Sequence, residues 1–167
     1  MPAGYRVLTI LLTLFSCVLM AAEPPPVVTT RALNAHTANH AAMAAYQECS
    51  ARGFHVAVAV TDRQGRVFSL VRSPLSGPHT IMVSQRKAFT AATYRAATSS
   101  MMARKHLARS PGVLLLCRRL PIENGGEFCG AIAVSGAPAE KTPGDVDEAC
   151  ARAGIDAISE EIEFAGQ

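Results

Sequence analysis

The chain has 167 residues, of which 16 are lysine or arginine and 13 are aspartate or glutamate, so its formal net charge is +3. A chain of this length forms one domain, either alone or behind a targeting segment. The mild positive charge and the lack of a basic run in the sequence argue against a nucleic-acid-binding protein.

The N-terminal stretch has the three-part organisation of a secretory signal peptide. One positive charge lies in residues 1–6, a mostly apolar run covers residues 7–20, and Ala21 and Ala22 supply a small-residue cleavage site. An uncleaved anchor is the alternative, but about 14 apolar residues are short for a membrane span. We therefore expect a periplasmic or secreted protein without a membrane span after cleavage. The predicted division is a signal peptide over residues 1–22, a proline-rich linker over residues 23–28 and a domain over residues 29–167.

The first half of the domain is predicted to begin with a helix and a β-hairpin. Small residues at helical spacing predict a helix over residues 29–51, capped by Thr29 or Thr30 and ended by Gly53. The apolar run over residues 56–60 predicts a strand that is covered on both faces. A turn over residues 62–65 then leads into a second strand over residues 66–72.

A central helix is predicted over residues 76–93, because Ser76 is a capping residue and Pro78 suits a first helical turn. Small side chains recur at helical spacing at Ser84, Ala88 and Ala91, which would let the helix lie close against a sheet. The basic groups of such a helix can hold an anionic ligand, although a solvated surface helix fits the spacing equally well.

The second half of the domain is predicted to carry another hairpin between two helices. Its turn is expected at Asn124-Gly125-Gly126, which is a strong hairpin signal. The predicted elements are a helix over residues 98–107, strands over residues 113–116 and 128–135, and a last helix over residues 145–163. The whole order predicts an antiparallel sheet with helices on its faces.

Four cysteines remain after removal of the leader, at positions 49, 117, 129 and 150. If the second hairpin turns near Gly125, Cys117 and Cys129 lie about 13 Å apart along the strand, beyond disulfide reach. Cys49 and Cys150 lie on the first and last helices and can meet, and export permits a disulfide. We therefore predict a Cys49–Cys150 bridge, with Cys117 and Cys129 as thiols.

Several common site motifs are missing from the sequence. It contains no G-x-x-x-x-G-K-[ST], G-x-G-x-x-G, G-x-S-x-G or C-x-x-C, so nucleotide cradles, serine hydrolysis and covalently attached haem are unsupported. His36 and His40 have the spacing of two zinc ligands but lack the adjacent glutamate of H-E-x-x-H. The helix face that they share with Met43 is either exposed or turned toward a ligand or a second subunit.

Four segments, taken in order, resemble the GlcG/HbpS family, which includes the C-terminal domain of PduO-type proteins. VAVAVTDRQGRVFSLVR over residues 56–72 is similar to the family's apolar strand, D-x-x-G turn and returning strand that ends in arginine. RKAFTA over residues 86–91 resembles the K-A-x-T-A helix of the family. LPI over residues 120–122 with GAIAVSG over residues 130–136, and DEACARAG over residues 147–154, resemble its remaining motifs.

This resemblance implies a profilin-like α/β/α sandwich with a central antiparallel sheet, which assembles into homo-oligomers. It also implies an exported protein that binds a tetrapyrrole, with haem expected as the cofactor before a corrinoid, and without a defined catalytic activity. Two alternatives stay open. The first is an enzyme or accessory protein acting on a small organic acid, and the second is a purely structural oligomer.

His79, at the start of the central helix, is the first candidate for the haem iron. Because a neutral imidazole is needed for ligation, haem affinity is expected to fall below about pH 6.5. His36 and His40 are the competing ligands. Arg72 and Lys87 are placed to meet the haem carboxylates.

Three further residues complete the predicted site. Thr90 belongs to the helix motif that resembles the family. Where the family has glycines before its L-P-I motif, this chain has Cys117-Arg118-Arg119. Arg118 and Arg119 are therefore expected either to narrow the pocket or to bind the propionates.

Overall fold

The computed structural model describes residues 26–96, 105–116, 119–138 and 146–165. The chain divides into two units, residues 1–30 and residues 31–167. In the first unit the described residues 26–30 are exposed and form neither helix nor strand. All elements named below belong to the second unit, and the predicted leader lies outside the described residues.

The described part of the second unit contains one sheet of four antiparallel strands, in the order β2-β1-β4-β3. The strands are β1 (Ala57–Thr61), β2 (Val67–Arg72), β3 (Arg119–Asn124) and β4 (Glu127–Ser135). Ala57 of β1 lies opposite Arg72 of β2 and opposite Ser135 of β4, which makes β1 and β4 the central strands. The predicted α/β fold with a central antiparallel sheet is confirmed.

Helices cover both faces of this sheet. They are α1 (Ala35–Ala51), α2 (His79–Tyr94), α3 (Val146–Asp156) and α4 (Ser159–Glu163), with a 3-10 helix over Lys105–Arg109. Helix α2 packs on β1 and β4 from one side, whereas α1 and α3 pack together on the other side. Within the described ranges, no helix is both long enough and apolar enough to cross a membrane.

The alternation of valine and alanine in β1 determines how closely each layer approaches the sheet. Val58 and Val60 point into the large core beneath α1 and α3. Ala59, on the opposite face, packs against Ala88 of α2 and Ala133 of β4. Because these contacts are between alanines, the backbone of α2 can lie close to the two central strands.

Helix α1 begins later than predicted. Its N-cap is Asn34, whose Oδ1 accepts a hydrogen bond of 2.8 Å from the Thr37 backbone N–H, so the expected cap at Thr29 or Thr30 is wrong. Its end is as predicted. Gly53 has a φ of +82°, and the N–H of Phe54 bonds to the carbonyl of Cys49, which is a Schellman C-cap.

The predicted register of the second hairpin is wrong by two residues. Arg119, rather than Cys117, lies opposite Ala133, and Pro121 lies opposite Ala131. The turn is centred between Gly125 and Gly126, and a bulge at Cys129 adds one residue to β4. Both changes shift the pairing in the same direction.

Two predicted elements differ in extent. The helix expected over residues 98–107 is a 3-10 helix over Lys105–Arg109, and residues 97–104 lie outside the described residues. The long last helix is broken between α3 and α4 at Ala157 and Ile158. There the N–H of Ile158 bonds to Ile155 and the Ser159 hydroxyl bonds to the carbonyl of Asp156, so the α-helical pattern is interrupted.

Small residues and a disulfide join α1 to α3. Gly154 of α3 lies so close to α1 that a Cβ there would come within 2.6 Å of the Ala41 carbonyl oxygen. Near this contact Cys49 and Cys150 form a disulfide with a Cα–Cα distance of 5.5 Å, which confirms the predicted pairing. Among the described residues, Cys129 is a buried thiol as predicted, and Cys117 lies outside them.

Replacing Cys49 and Cys150 together by serine is expected to lower the free energy of unfolding by about 2–4 kcal/mol, because the bridge closes a long loop in the unfolded chain. Urea denaturation measures this change. The wild-type chain treated with dithiothreitol is the matched control and should unfold at the same urea concentration as the double variant. An unchanged midpoint after reduction would contradict the prediction.

Candidate functional site

The structure separates the predicted site residues into three places. His79 and Arg72 lie near one another in sequence at the start of α2 and the end of β2, and both are exposed. Lys87, Thr90 and Arg119 are buried. His36 and His40 lie on α1 across the sheet, and Arg118 lies outside the described residues.

The β2 strand that ends in Arg72 also carries exposed apolar side chains, which the sequence analysis did not single out. On β2, Ser69 donates to Asn39 of α1, so the alternating residues Phe68, Leu70 and Arg72 face the side of the sheet that carries α2. Helix α2 packs mainly on β1 and β4 rather than on this edge strand. Phe68 is 43% exposed and Leu70 is 39% exposed.

Two more exposed apolar residues lie in the connection after β2 and on α2. Leu75, in the β2–α2 connection, is 71% exposed, and Met82 is 58% exposed. Met82 follows His79 by three residues, so the two side chains share a face of α2. We call Phe68, Leu70, Arg72, Leu75, His79 and Met82 the β2–α2 surface. Large apolar groups at alternate positions of an edge strand were the sequence signal that could have revealed it.

Lys87 is buried beneath α2, unlike the exposed His79. Its ammonium group donates to the Val134 carbonyl and lies 3.2 Å from the carboxylate of Asp147, at the start of α3. Both side chains are only 2% exposed. Asp147 also accepts a 3.1 Å hydrogen bond from the Ala137 N–H. In this arrangement Lys87 joins α2 to the end of β4 and to α3.

Thr90 and Arg119 hold the segment over residues 113–116 from two sides. The Thr90 hydroxyl accepts a 2.9 Å hydrogen bond from the Leu114 N–H, and Arg119 donates to the Leu114 carbonyl at 2.6 Å. Because side chains bond both backbone groups of Leu114, the strand predicted over residues 113–116 does not form. The first arm of the hairpin is β3 instead.

His36 and His40 meet a carboxylate from the C-terminal helix. Their Nδ1 atoms lie 3.9 Å and 3.5 Å from the Glu161 oxygens, and the Thr37 hydroxyl donates to the same carboxylate. The Thr37 hydrogen bond, reinforced by the contact with His40, holds the pKa of the Glu161 carboxyl below its usual value. Within the described ranges, no group of three or more His, Cys, Asp or Glu residues is placed to hold a metal ion.

A family model described as "Haem degrading protein HbpS-like" matches residues 33–156 of the chain. The chain belongs to the HbpS-like family. The match covers every strand and the three longest helices described above, so the resemblance inferred from the four sequence segments is confirmed. A comparison with curated proteins found no match.

Solved structures agree with this assignment to the HbpS-like family. A crystal structure of HbpS is 35% identical with a TM-score of 0.73, and the match covers 83% of this chain and 98% of that chain. A double mutant of HbpS from Streptomyces reticuli is 34% identical with the same TM-score, over 83% and 94% of the two chains. The PduOC:heme complex is 22% identical with a TM-score of 0.65, over 76% of this chain and 95% of that chain, and at this identity it supports the fold alone.

Replacing Lys87 by Met is expected to lower the free energy of unfolding by about 3–5 kcal/mol, because the Asp147 carboxylate would stay buried without its ammonium partner. Adding Asp147→Asn should recover part of this loss, since the second change removes the buried charge. Thermal or urea unfolding of the two single variants and the double variant measures the coupling.

The Glu148–Arg152 pair on α3, with charged atoms 3.8 Å apart and Arg152 exposed, provides the control. Arg152→Met should change stability by less than about 1 kcal/mol, because surface ion pairs contribute little. Purely additive effects of the Lys87 and Asp147 substitutions would contradict a coupled buried pair.

Thr37→Val should destabilise the protein more at about pH 6.5 than at about pH 3. A carboxyl with a lowered pKa in the folded state stabilises that state above its unfolded pKa, and this contribution disappears as the pH falls through the folded pKa. Since Glu161 is partly exposed, the difference is expected to be no more than about 1 kcal/mol. Urea unfolding at the two pH values measures it.

Glu161→Gln is the control for this experiment. A glutamine does not titrate, so Thr37→Val in that background should lower the free energy of unfolding by the same amount at both pH values. If Thr37→Val in the wild-type background already costs the same at both pH values, the Thr37 hydroxyl does not act through the Glu161 charge.

Proposed function

We propose that this member of the HbpS-like family is an exported haem-binding protein that holds haem on the β2–α2 surface without degrading it. The observation that carries the proposal is the set of exposed apolar side chains on β2, on α2 and in the connection between them, the same elements that carry Arg72 and His79. An imidazole can ligate the iron, a guanidinium can pair with a propionate, and apolar side chains can pack on the macrocycle. The description of the matching family as haem degrading supports the choice of ligand.

His79 is the proposed iron ligand on this surface. Its side chain is exposed, and its ring lies against Gly77, where a Cβ would come within 2.8 Å of the imidazole. A larger residue at position 77 would therefore have to displace the imidazole. Met82 on the same helix face offers a thioether as an apolar contact.

Arg72 is the proposed propionate partner. It ends β2 on the same face as Phe68 and Leu70, and it is exposed. Since an exposed ion pair is worth about 0–1 kcal/mol, Arg72 is expected to orient the haem more than to determine its affinity. The apolar side chains would supply most of the binding free energy.

Lys87, Thr90 and Arg119 are assigned an indirect, positioning role. Each bonds protein groups in the structure: Lys87 bonds Asp147, and Thr90 and Arg119 bond the segment over residues 113–116. We infer that they fix the position of α2, and hence of His79, rather than contacting the propionates.

Export and assembly are part of the same proposal. The predicted leader and the Cys49–Cys150 disulfide support a periplasmic or secreted location, because disulfides persist in oxidising compartments. An exposed patch of large apolar side chains commonly marks a ligand or subunit contact. We propose that the protein forms a homo-oligomer that shields part of the bound haem. Light scattering of the haem-loaded protein measures the mass of this oligomer.

Titration of the purified chain with haemin, followed by its Soret band, tests the site. His79→Ala is expected to weaken binding at least about 10-fold and to shift the Soret maximum, because the proposed axial ligand is lost. Arg72→Gln should weaken binding only a few-fold. His106→Ala, which removes an exposed histidine of the 3-10 helix, is the matched control and should leave the spectrum unchanged.

Two outcomes would contradict the proposal. A shift caused by His36→Ala with His40→Ala, and not by His79→Ala, would place the iron on α1 instead. Decay of the Soret band of the haem-loaded protein with ascorbate, faster than that of haemin without protein, would show degradation rather than binding alone.

A further inference from the structure

A cavity of about 370 Å³ lies at the hairpin-turn end of the fold, between the start of α1, the end of β3 and α4. None of the predicted site residues lines it. Its walls include Leu33, Cys129 and Ile162, and its polar groups include Arg31, Asn34 and Asn124. Its volume lies near the lower end of the range of about 300–1,000 Å³ that is usual for small-molecule sites.

The walls of the cavity favour an apolar ligand body. Leu33 and Ile162 belong to the large hydrophobic core and present aliphatic surface. Burial raises the pKa of the Cys129 thiol, despite the opposing effect of Arg63, so this group faces the cavity without charge. A ligand rich in hydroxyl groups would leave them without partners along this wall.

The mouth of the cavity favours a negative charge. Arg31 contacts Glu127 through its Nε atom at 3.7 Å, and an arginine carries five N–H donors, so the ion pair uses only part of its capacity. Asn34 is the N-cap of α1, and the first turn of this helix contains no acidic residue. The positive end of the helix therefore adds to the charge of Arg31.

A carboxylate, that of Glu161, also lines the cavity. It accepts the hydrogen bond of Thr37 and lies beside His40, so these α1 groups offset part of its charge. An adjoining cavity of about 390 Å³ shares Arg31 with the first one but is also lined by Glu123 and Glu163. Those two carboxylates make the adjoining cavity the poorer site for an anion.

We propose that the cavity at the start of α1 binds a short-chain aliphatic carboxylate, with its carboxylate at Arg31 and its alkyl chain against Leu33 and Ile162. The site is separate from the β2–α2 surface and does not depend on haem binding. Both features of the ligand follow from the lining: the cation at the mouth selects a charged head group, and the apolar wall selects an unsubstituted chain.

Binding of hexanoate to the full chain, followed by isothermal titration and by amide NMR shifts, tests the proposal. A Kd of about 1 mM is expected for so small a ligand, with shifts around Leu33 and Cys129. Acetate, which lacks the chain, and hexanol, which lacks the charge, should each bind at least about 10-fold more weakly. Absence of saturable hexanoate binding, or equal binding of acetate, would overturn the proposal.

Arg31→Gln should weaken hexanoate binding about 10-fold, whereas Arg52→Gln, which removes an exposed arginine at the far end of α1, should leave it unchanged. Ala165→Leu, a change at an exposed position on the rim, should block the cavity without altering the core. Undiminished binding to either Arg31→Gln or Ala165→Leu would place the ligand elsewhere.

The His79→Ala variant should bind hexanoate as the wild type does. Failure of haem binding alone would therefore leave this proposal standing, and failure of hexanoate binding alone would leave the haem proposal standing.

Discussion

The buried ion pair between Lys87 and Asp147 connects the layers of the fold. Lys87 lies on α2, on one side of the sheet, and Asp147 begins α3, on the other side. The ammonium also bonds the Val134 carbonyl near the end of β4, and the carboxylate bonds the Ala137 N–H beyond that strand. Two charges that are removed from water gain little net stability, so their main effect here is to specify where the two helices lie.

Much of the fold could be predicted from local pattern, because each signal depends on neighbouring residues. The valine–alanine alternation of β1, the Gly53 cap and the small-residue stripe of α2 are all local, and all describe the structure well. The predictions of the N-cap of α1 and of the register of the second hairpin were wrong. The Asn34 side chain determines the N-cap, and the bulged residue Cys129 contributes to the shift in register. Residue spacing along the sequence reveals neither.

The site was harder to predict than the fold, because the function of a polar side chain depends on what it meets across the chain. Lys87 and Thr90 stand in a motif that resembles the family, but their partners are 60 and 24 residues away. His36 and His40 have a metal-like spacing, yet they face Glu161, more than 120 residues later in the chain. The apolar residues of β2 were visible in the sequence, but only the position of α2 shows that this helix leaves Phe68 and Leu70 partly exposed.

The position of α2 explains why β2 keeps its apolar residues at the surface. Alanine contacts place α2 over Ala59 and Ala133, and Lys87 fixes it there, so the helix packs on the central strands more than on the edge strand. A protein that only had to fold would gain solubility by placing polar residues at Phe68 and Leu70, since neither position contributes to the core. Apolar residues at such positions cost solubility unless something covers them. The ion pair that orders the layers thus also leaves open the surface that we assign to haem.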